Sequence, residues 1–192
     1  KKLMKLINIK KETNNKFLNL YTLELTNKVG KRKDYYVASR REQEELACVT
    51  KDHKRADGIL ILPVTKEGEI VVIKQYRPAL GDNVFELPAG LIEKGENIEE
   101  AAYRELYEET GLKGLSCEVI LKPSYVSSGM TDESIVTVKV LAEGTTTNEH
   151  AEEDEEIEIF KFKKEEINNL VKNENIGARD ALVMMLFANG GC

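Results

Sequence analysis

Three cysteines and two histidines are all the thiols and imidazoles that the 192 residues hold. Cys48, Cys117 and Cys192 are odd in number and show no CxxC spacing, and no apolar signal segment precedes them. A disulfide framework and secretion are therefore not expected, and the expected compartment is the cytoplasm. His53 and His150 lack the spacing of a zinc site and read as surface residues. Long apolar runs are also missing: the longest near the C-terminus, residues 181–188, is far too short to span a bilayer, so no membrane partner is expected. Basic residues are outnumbered, 28 against 34 acidic ones, for a net charge of −6. That balance argues against a nucleic-acid surface, which needs clustered Lys and Arg. No Walker A pattern, GxGxxG, HExxH or internal repeat is present. The length suits one domain with a substantial core, or a domain plus a small appendage.

What the chain does have is concentrated at residues 87–112, LPAGLIEKGENIEEAAYRELYEETGL. A helix is predicted over residues 98–110: Asn97 can cap it, no Gly or Pro interrupts it, and Gly111 stands where a left-handed C-terminal residue is wanted. At about 100° per residue, Ile98, Ala102, Glu105 and Glu109 share one line, flanked by Ala101 and Leu106. That line begins as the apolar stripe that packs on a sheet and ends, two turns later, as carboxylate. Glu105 and Glu109 are predicted to point inward, Glu108 to lie on the flank, and Glu99, Glu100, Tyr103 and Tyr107 to look outward. Half-buried neighbouring carboxylates without compensation cost several kcal/mol, roughly, so a bound cation is expected. Hard oxygen ligands suit Mg2+, or Mn2+ in its place.

Residues 90–112 resemble a complete Nudix box: Gly90, five residues, Glu96, seven residues, Arg104-Glu105, Leu106, Tyr107, Glu108-Glu109, Thr110, Gly111, Leu112. The resemblance implies a Nudix hydrolase, which splits a nucleoside diphosphate linked to another moiety. A diphosphate bridge is anionic and repels a water nucleophile, so metal ions that neutralise its oxygens and acidify a bound water can supply most of the catalysis. The expected ligands are Glu105, Glu108 and Glu109, with Glu108 and Arg104 also counted among the catalytic groups. By resemblance the carbonyl of Ala89 joins them, Arg104 pairs with Glu96 to brace the loop against the helix, and Gly90 lets the chain turn tightly.

Around the box, residues 58–64 and 69–78 read as a hairpin with its turn at Lys66-Glu67-Gly68, and Pro78 ends the second strand. The runs Gln75-Tyr76-Arg77-Pro78 and Phe85-Glu86-Leu87-Pro88-Ala89-Gly90 resemble the ADP-ribose pyrophosphatase branch. On that likeness Arg77 faces phosphate or ribose and Glu86 holds a polar part of the substrate. A basic residue at position 54, Lys54, joins the expected substrate contacts. Residues 115–121 read as a strand, then comes a loop in which Ser127, Gly129, Asp132 and Glu133 match the branch and are expected at the substrate. Ser128 stands where the branch carries proline. Residues 134–141 and 157–162 are predicted strands, and residues 163–173 and 178–188 two helices, the second with Leu182, Met185 and Leu186 on one face.

Residues 148–156 hold six acids in nine positions. Such a run is ordinarily a solvated loop. Similar proteins place an acidic loop here that swings over the metals, which makes Glu153 the expected general base and Glu155 a further ligand.

The N-terminal part alternates at residues 17–25 and 35–37 about the turn Val29-Gly30-Lys31, a hairpin or meander that must pack on something. In the ADP-ribose branch such an extension helps form a homodimer. The expected architecture is thus an α/β (α+β) Nudix fold, a mixed β-sheet sandwiched between helices at residues 48–192, preceded by an antiparallel β extension at 1–47. The expected substrate is ADP-ribose or a related nucleoside diphosphate sugar. An oxidised nucleotide, a dinucleotide, a coenzyme A and a non-catalytic nucleotide-sugar sensor are the alternatives.

Overall fold

The N-terminal alternation forms strands, and there are three of them. The computed structural model describes residues 4–151 and 156–192. The chain divides into two compact units, Lys1–Arg55 with Pro123–Ser134, and Ala56–Lys122 with Ile135–Cys192.

In the first unit, β1 (Lys5–Lys11), β2 (Asn19–Thr26) and β3 (Arg32–Ser39) make an antiparallel meander in the order β1-β2-β3. Leu23 lies opposite both Ile9 and Tyr35, which puts the three on one face. Tyr21 is fully buried, and its hydroxyl donates to the Arg41 carbonyl at 2.9 Å. A short helix α1 (Ala47–Thr50) follows. The segment 123–134 returns to this sheet, where the Ala38 N–H donates to the Met130 carbonyl at 2.9 Å.

The second unit holds β4 (Gly58–Thr65), β5 (Ile70–Arg77), β6 (Asp82–Glu86), β7 (Ala89–Leu91), α2 (Ile98–Thr110), most of β8 (Lys113–Tyr125) and β9 (Ser134–Glu143), β10 (Ile157–Phe162), α3 (Lys164–Asn173) and α4 (Ala178–Ala188). The sheet runs β10-β5-β4-β9-β8. It is mixed, because β4 and β9 are parallel and the pairs of β4 and β5 with their other neighbours are antiparallel. The β4–β5 hairpin closes with Val64 opposite Ile70. Further from the turn, β7 takes Gly58 to Leu60 and β6 takes Ile73 to Arg77, so the two strands share their ladders with short strands that carry the start of the acidic stretch.

The apolar residues of α2, Ala101, Ala102 and Leu106, pack on Ile59, Ile61, Val71, Val136, Val138 and Val140. Strand alternation turns Leu60, Leu62, Ile70 and Val72 to the other face, where they are equally buried. Phe187 of α4 lies on that face, sharing a cavity of about 300 Å³ with Val64, Lys139 and Leu141. The face of α4 that carries Leu182, Met185 and Leu186 is not its buried one. Leu182, Met185 and Leu186 are exposed, and Asp180, Met184 and Phe187 are buried. The buried Asp180 carboxylate accepts from the Leu87 N–H, between β6 and β7.

Candidate active site

Helix α2 has the predicted bounds, set by its ends. The Asn97 side chain accepts from the Glu100 N–H at 3.0 Å while Glu100 accepts from the Asn97 N–H at 2.9 Å, a reciprocal cap. Gly111 closes the helix in the left-handed region, φ 72°. The helical phase orders the acids as expected: Glu109 is 3% exposed, the Glu105 side chain 13% and the Glu108 side chain 38%. Tyr103 departs from its predicted outward position. Its ring packs over Gly114, where a Cβ would collide with it, because the helix lies close to the start of β8.

Arg104 organises the acids. Its Nε donates to Glu96 Oε1 at 2.8 Å and one terminal nitrogen to Glu96 Oε2 at 2.9 Å, a bidentate pair. The same nitrogen donates to the Leu91 carbonyl at 3.0 Å. The other terminal nitrogen meets Glu105 at 2.8 Å and Glu108 at 3.1 Å. Glu96 also accepts from the Glu93 N–H at 2.9 Å, and the Arg104 guanidinium holds its carboxyl below the usual range. Glu109 accepts from the Ala89 N–H at 3.2 Å.

Gly90 is glycine for a reason other than the tight turn expected of it. It lies in β7, outside the left-handed region, and a Cβ there would sit on the Glu105 carboxylate. The missing side chain lets the strand and the acid approach each other. Gly58 does the same for the Gly90 carbonyl, which a Cβ would meet at 2.7 Å.

Among the described residues, no three His, Cys, Asp or Glu side chains form a ready ligand cage. Glu105 and Glu108 nevertheless converge on one guanidinium nitrogen, so they already hold a shared positive charge. With Glu109 they make an all-oxygen, anionic donor set within two turns of helix. That chemistry fits a hard divalent cation.

Arg77 and Glu86 are brought together, Nε to Oε2 at 2.7 Å, with Glu86 the less exposed of the two. The other expected substrate contacts belong to the N-terminal unit, where each has a local task. Lys54 is exposed and its N–H donates to Asp52. The Ser127 carbonyl closes a turn by accepting from the Met130 and Thr131 N–H groups, and the Gly129 carbonyl accepts from the Tyr35 hydroxyl at 2.6 Å. Asp132 accepts from the Ala47 N–H at 2.9 Å, and Glu133 pairs with Arg40 at 2.9 Å. This loop is thus pinned to its own unit without the proline that Ser128 replaces.

Glu153 and Glu155 lie outside the described residues. The chain leading towards them is anchored to the end of α2: the Thr147 N–H donates to the Thr110 carbonyl at 2.9 Å, and the His150 ring stacks on Tyr107 with centroids 4.5 Å apart. Asp180 was not singled out by sequence pattern. Its only sign is an acid in the first turn of a helix, four residues ahead of Met184 on the buried line.

The fold and this carboxylate-lined helix define a Nudix hydrolase. The NUDIX domain family model matches residues 53–183. The chain belongs to the Nudix family. It is 36% identical over 149 residues to the ADP-ribose pyrophosphatase of Bacillus subtilis, covering 77% of this chain and 80% of that one. The mouse ADP-sugar pyrophosphatase is 45% identical over 78 residues, covering 38% of this chain and 36% of that protein. A solved structure, the crystal structure of an ADP compounds hydrolase, superposes with a TM-score of 0.75 at 19% identity over 99% of this chain and 97% of its own. That likeness supports the fold. No described helix is long and apolar enough to cross a membrane.

Proposed function

We propose that this protein hydrolyses the diphosphate bridge of ADP-ribose or a related nucleoside diphosphate sugar, giving a nucleoside monophosphate and a sugar phosphate. The observation that carries the reading is the trio of acids on α2, Glu105 and Glu108 sharing one Arg104 nitrogen and Glu109 buried one turn on against the Ala89 N–H. Similarity to the B. subtilis ADP-ribose pyrophosphatase over most of the chain supports the substrate class.

In this reading Mg2+, or Mn2+, is held by the three glutamates and the Ala89 carbonyl, and it supplies charge neutralisation at the diphosphate and a more acidic bound water. Glu153 takes the proton from the attacking water and Glu155 adds a ligand. Arg77 presents to a phosphate the planar fork that such oxygens fit, oriented by Glu86. Lys54, Ser127, Gly129, Asp132 and Glu133 are the substrate contacts proposed from the N-terminal unit. The extension at residues 1–47 is proposed to build a homodimer, and the enzyme to act in the cytoplasm.

The test is a panel of diphosphate substrates, with Mg2+ and with chelator, read by chromatography of the products. ADP-ribose should be cleaved to AMP and ribose phosphate with Mg2+ alone. Preference by more than tenfold for a dinucleotide, an oxidised nucleotide or a coenzyme A would overturn the substrate assignment, and turnover undiminished by chelator would overturn the metal.

A further inference from the structure

The stretch from Phe85 to Ala89 joins the Arg77–Glu86 pair to the start of the acidic box, and three alternate N–H groups along it have acceptors outside the sheet. The Phe85 N–H donates to the Asn175 carbonyl at 2.8 Å, and Phe85 bridges Ile176 as a short parallel pair. The Leu87 N–H donates to Asp180 Oδ1 at 2.9 Å. The Ala89 N–H donates to Glu109 at 3.2 Å. Pro88, which has no N–H, gives its carbonyl to the Ile61 N–H at 2.8 Å. Two carboxylates from different helices therefore hold the N–H groups on either side of Pro88, Asp180 of α4 at Leu87 and Glu109 of α2 at Ala89.

Asp180 is placed with care. It is 1% exposed, and its second oxygen meets the Arg179 Nε at 3.3 Å. Residue 177 is glycine with an ordinary φ of −64°, and a Cβ there would collide with that second oxygen. Burying a carboxylate is costly, and burial pushes this one up in pKa. An apolar residue at this place on α4 would pack at lower cost. What Asp180 does that an apolar residue cannot is accept from Leu87 and fix the register of the two residues that follow.

We infer that Asp180 is a positioning residue for the active site: through the Leu87 N–H it sets the short connection between β6 and β7 that presents Glu86 to Arg77 and Ala89 to Glu109, coupling the C-terminal helix to the box. The inference rests on the metal-dependent hydrolase reading above.

Three variants test it, Asp180→Ala, Asp180→Asn and Gly177→Ala, with folding checked by circular dichroism and Tm. Mn2+ affinity is measured by calorimetry, and kcat and KM for ADP-ribose at saturating Mg2+. Residues that orient metal ligands typically contribute about 10- to 100-fold in affinity or activity. Asp180→Ala should weaken Mn2+ binding by about tenfold and lower kcat by about tenfold. Asp180→Asn keeps an oxygen that accepts from Leu87 and should recover most of the loss. Gly177→Ala, which crowds the carboxylate without removing it, should shift both readouts in the same direction by a smaller factor and serves if Asp180→Ala does not fold. Wild-type Mn2+ affinity and kcat in the folded Ala variant, or in Gly177→Ala if the former is unfolded, would overturn the inference whatever the change in Tm. So would an Asn variant as impaired as the Ala one. If wild type binds Mn2+ but leaves ADP-ribose uncut, the substrate reading fails, and the Mn2+ affinities still decide the role of Asp180.

Discussion

Replacing Arg104 by alanine removes the cation on which Glu96, Glu105 and Glu108 converge, and the loss can be sized. The guanidinium makes a bidentate pair with Glu96, a hydrogen bond each to Glu105 and Glu108, and one to the Leu91 carbonyl. Hydrogen bonds to charged groups contribute about 1.5–3 kcal/mol each, and breaking a fully buried pair costs about 3–5 kcal/mol. The contributions are not additive, and the Arg104 side chain is 26% exposed, so solvent screens part of the interaction. A destabilisation of about 2–3 kcal/mol follows, and at about 2–4 °C per kcal/mol for a chain of this size Tm should fall by about 5–10 °C. The measurement belongs in chelator, so that no divalent ion replaces the guanidinium. Arg104→Lys should recover only a minor part, because an ammonium cannot span the fork. The pair also sets a pH dependence. The Glu96 carboxyl is held low by Arg104, so its stabilisation is present above the unfolded Glu pKa of about 4.3 and is lost as pH falls through the depressed folded value. That acid limb should flatten in Arg104→Ala. Activity should fall as well, since Glu96 braces the loop leading into α2. A Tm within about 1 °C of wild type would refute the hub.

Glu109→Gln should keep the fold and reduce turnover by about 10²-fold or more, since it neutralises the buried member of the donor set; a rate within about threefold of wild type would remove Glu109 from that set. Glu153→Gln should lower kcat with little change in KM or metal requirement, whereas Glu155→Gln should raise the metal concentration for half activity and Glu152→Gln should do neither. Near wild-type rates for all three at saturating metal would return the general base to the box glutamates. Sedimentation velocity of the full chain should give a dimer, and a monomer at micromolar concentration would sink the interface assigned to the extension.

The helix of the acidic box was legible because its information is local. A reciprocal cap, a 3.6-residue period and a terminal glycine determine its limits, and the same period orders Glu109, Glu105 and Glu108 by depth. Family membership was legible for a related reason, since fixed residue types at fixed spacing in one short stretch carry it. The strands could be anticipated from apolar runs and turn signals, and their mixed sheet from the family resemblance. The third N-terminal strand, β1, alternates only weakly between lysines and was not separately assigned.

Long-range packing decided the rest. The cause of Gly90 is a carboxylate fifteen positions later, a close approach that no local pattern encodes. The loop at residues 127–133 reads as a set of substrate contacts, yet its partners are Tyr35, Arg40 and Ala47, which reach it only through the return of the chain to the N-terminal sheet. Helix α4 shows the point most directly. Its most evident apolar residues, Leu182, Met185 and Leu186, share one face, and the structure buries another, where Asp180 accepts from the Leu87 N–H, distant in sequence and adjacent in space. The sequence by itself determined the acidic helix, its polarity and the chemistry of its donors, because those depend on neighbours within a few turns. Only the tertiary structure decided which strand, which glycine and which buried carboxylate hold that helix in register, because hydrogen bonds between distant segments leave no period in the chain.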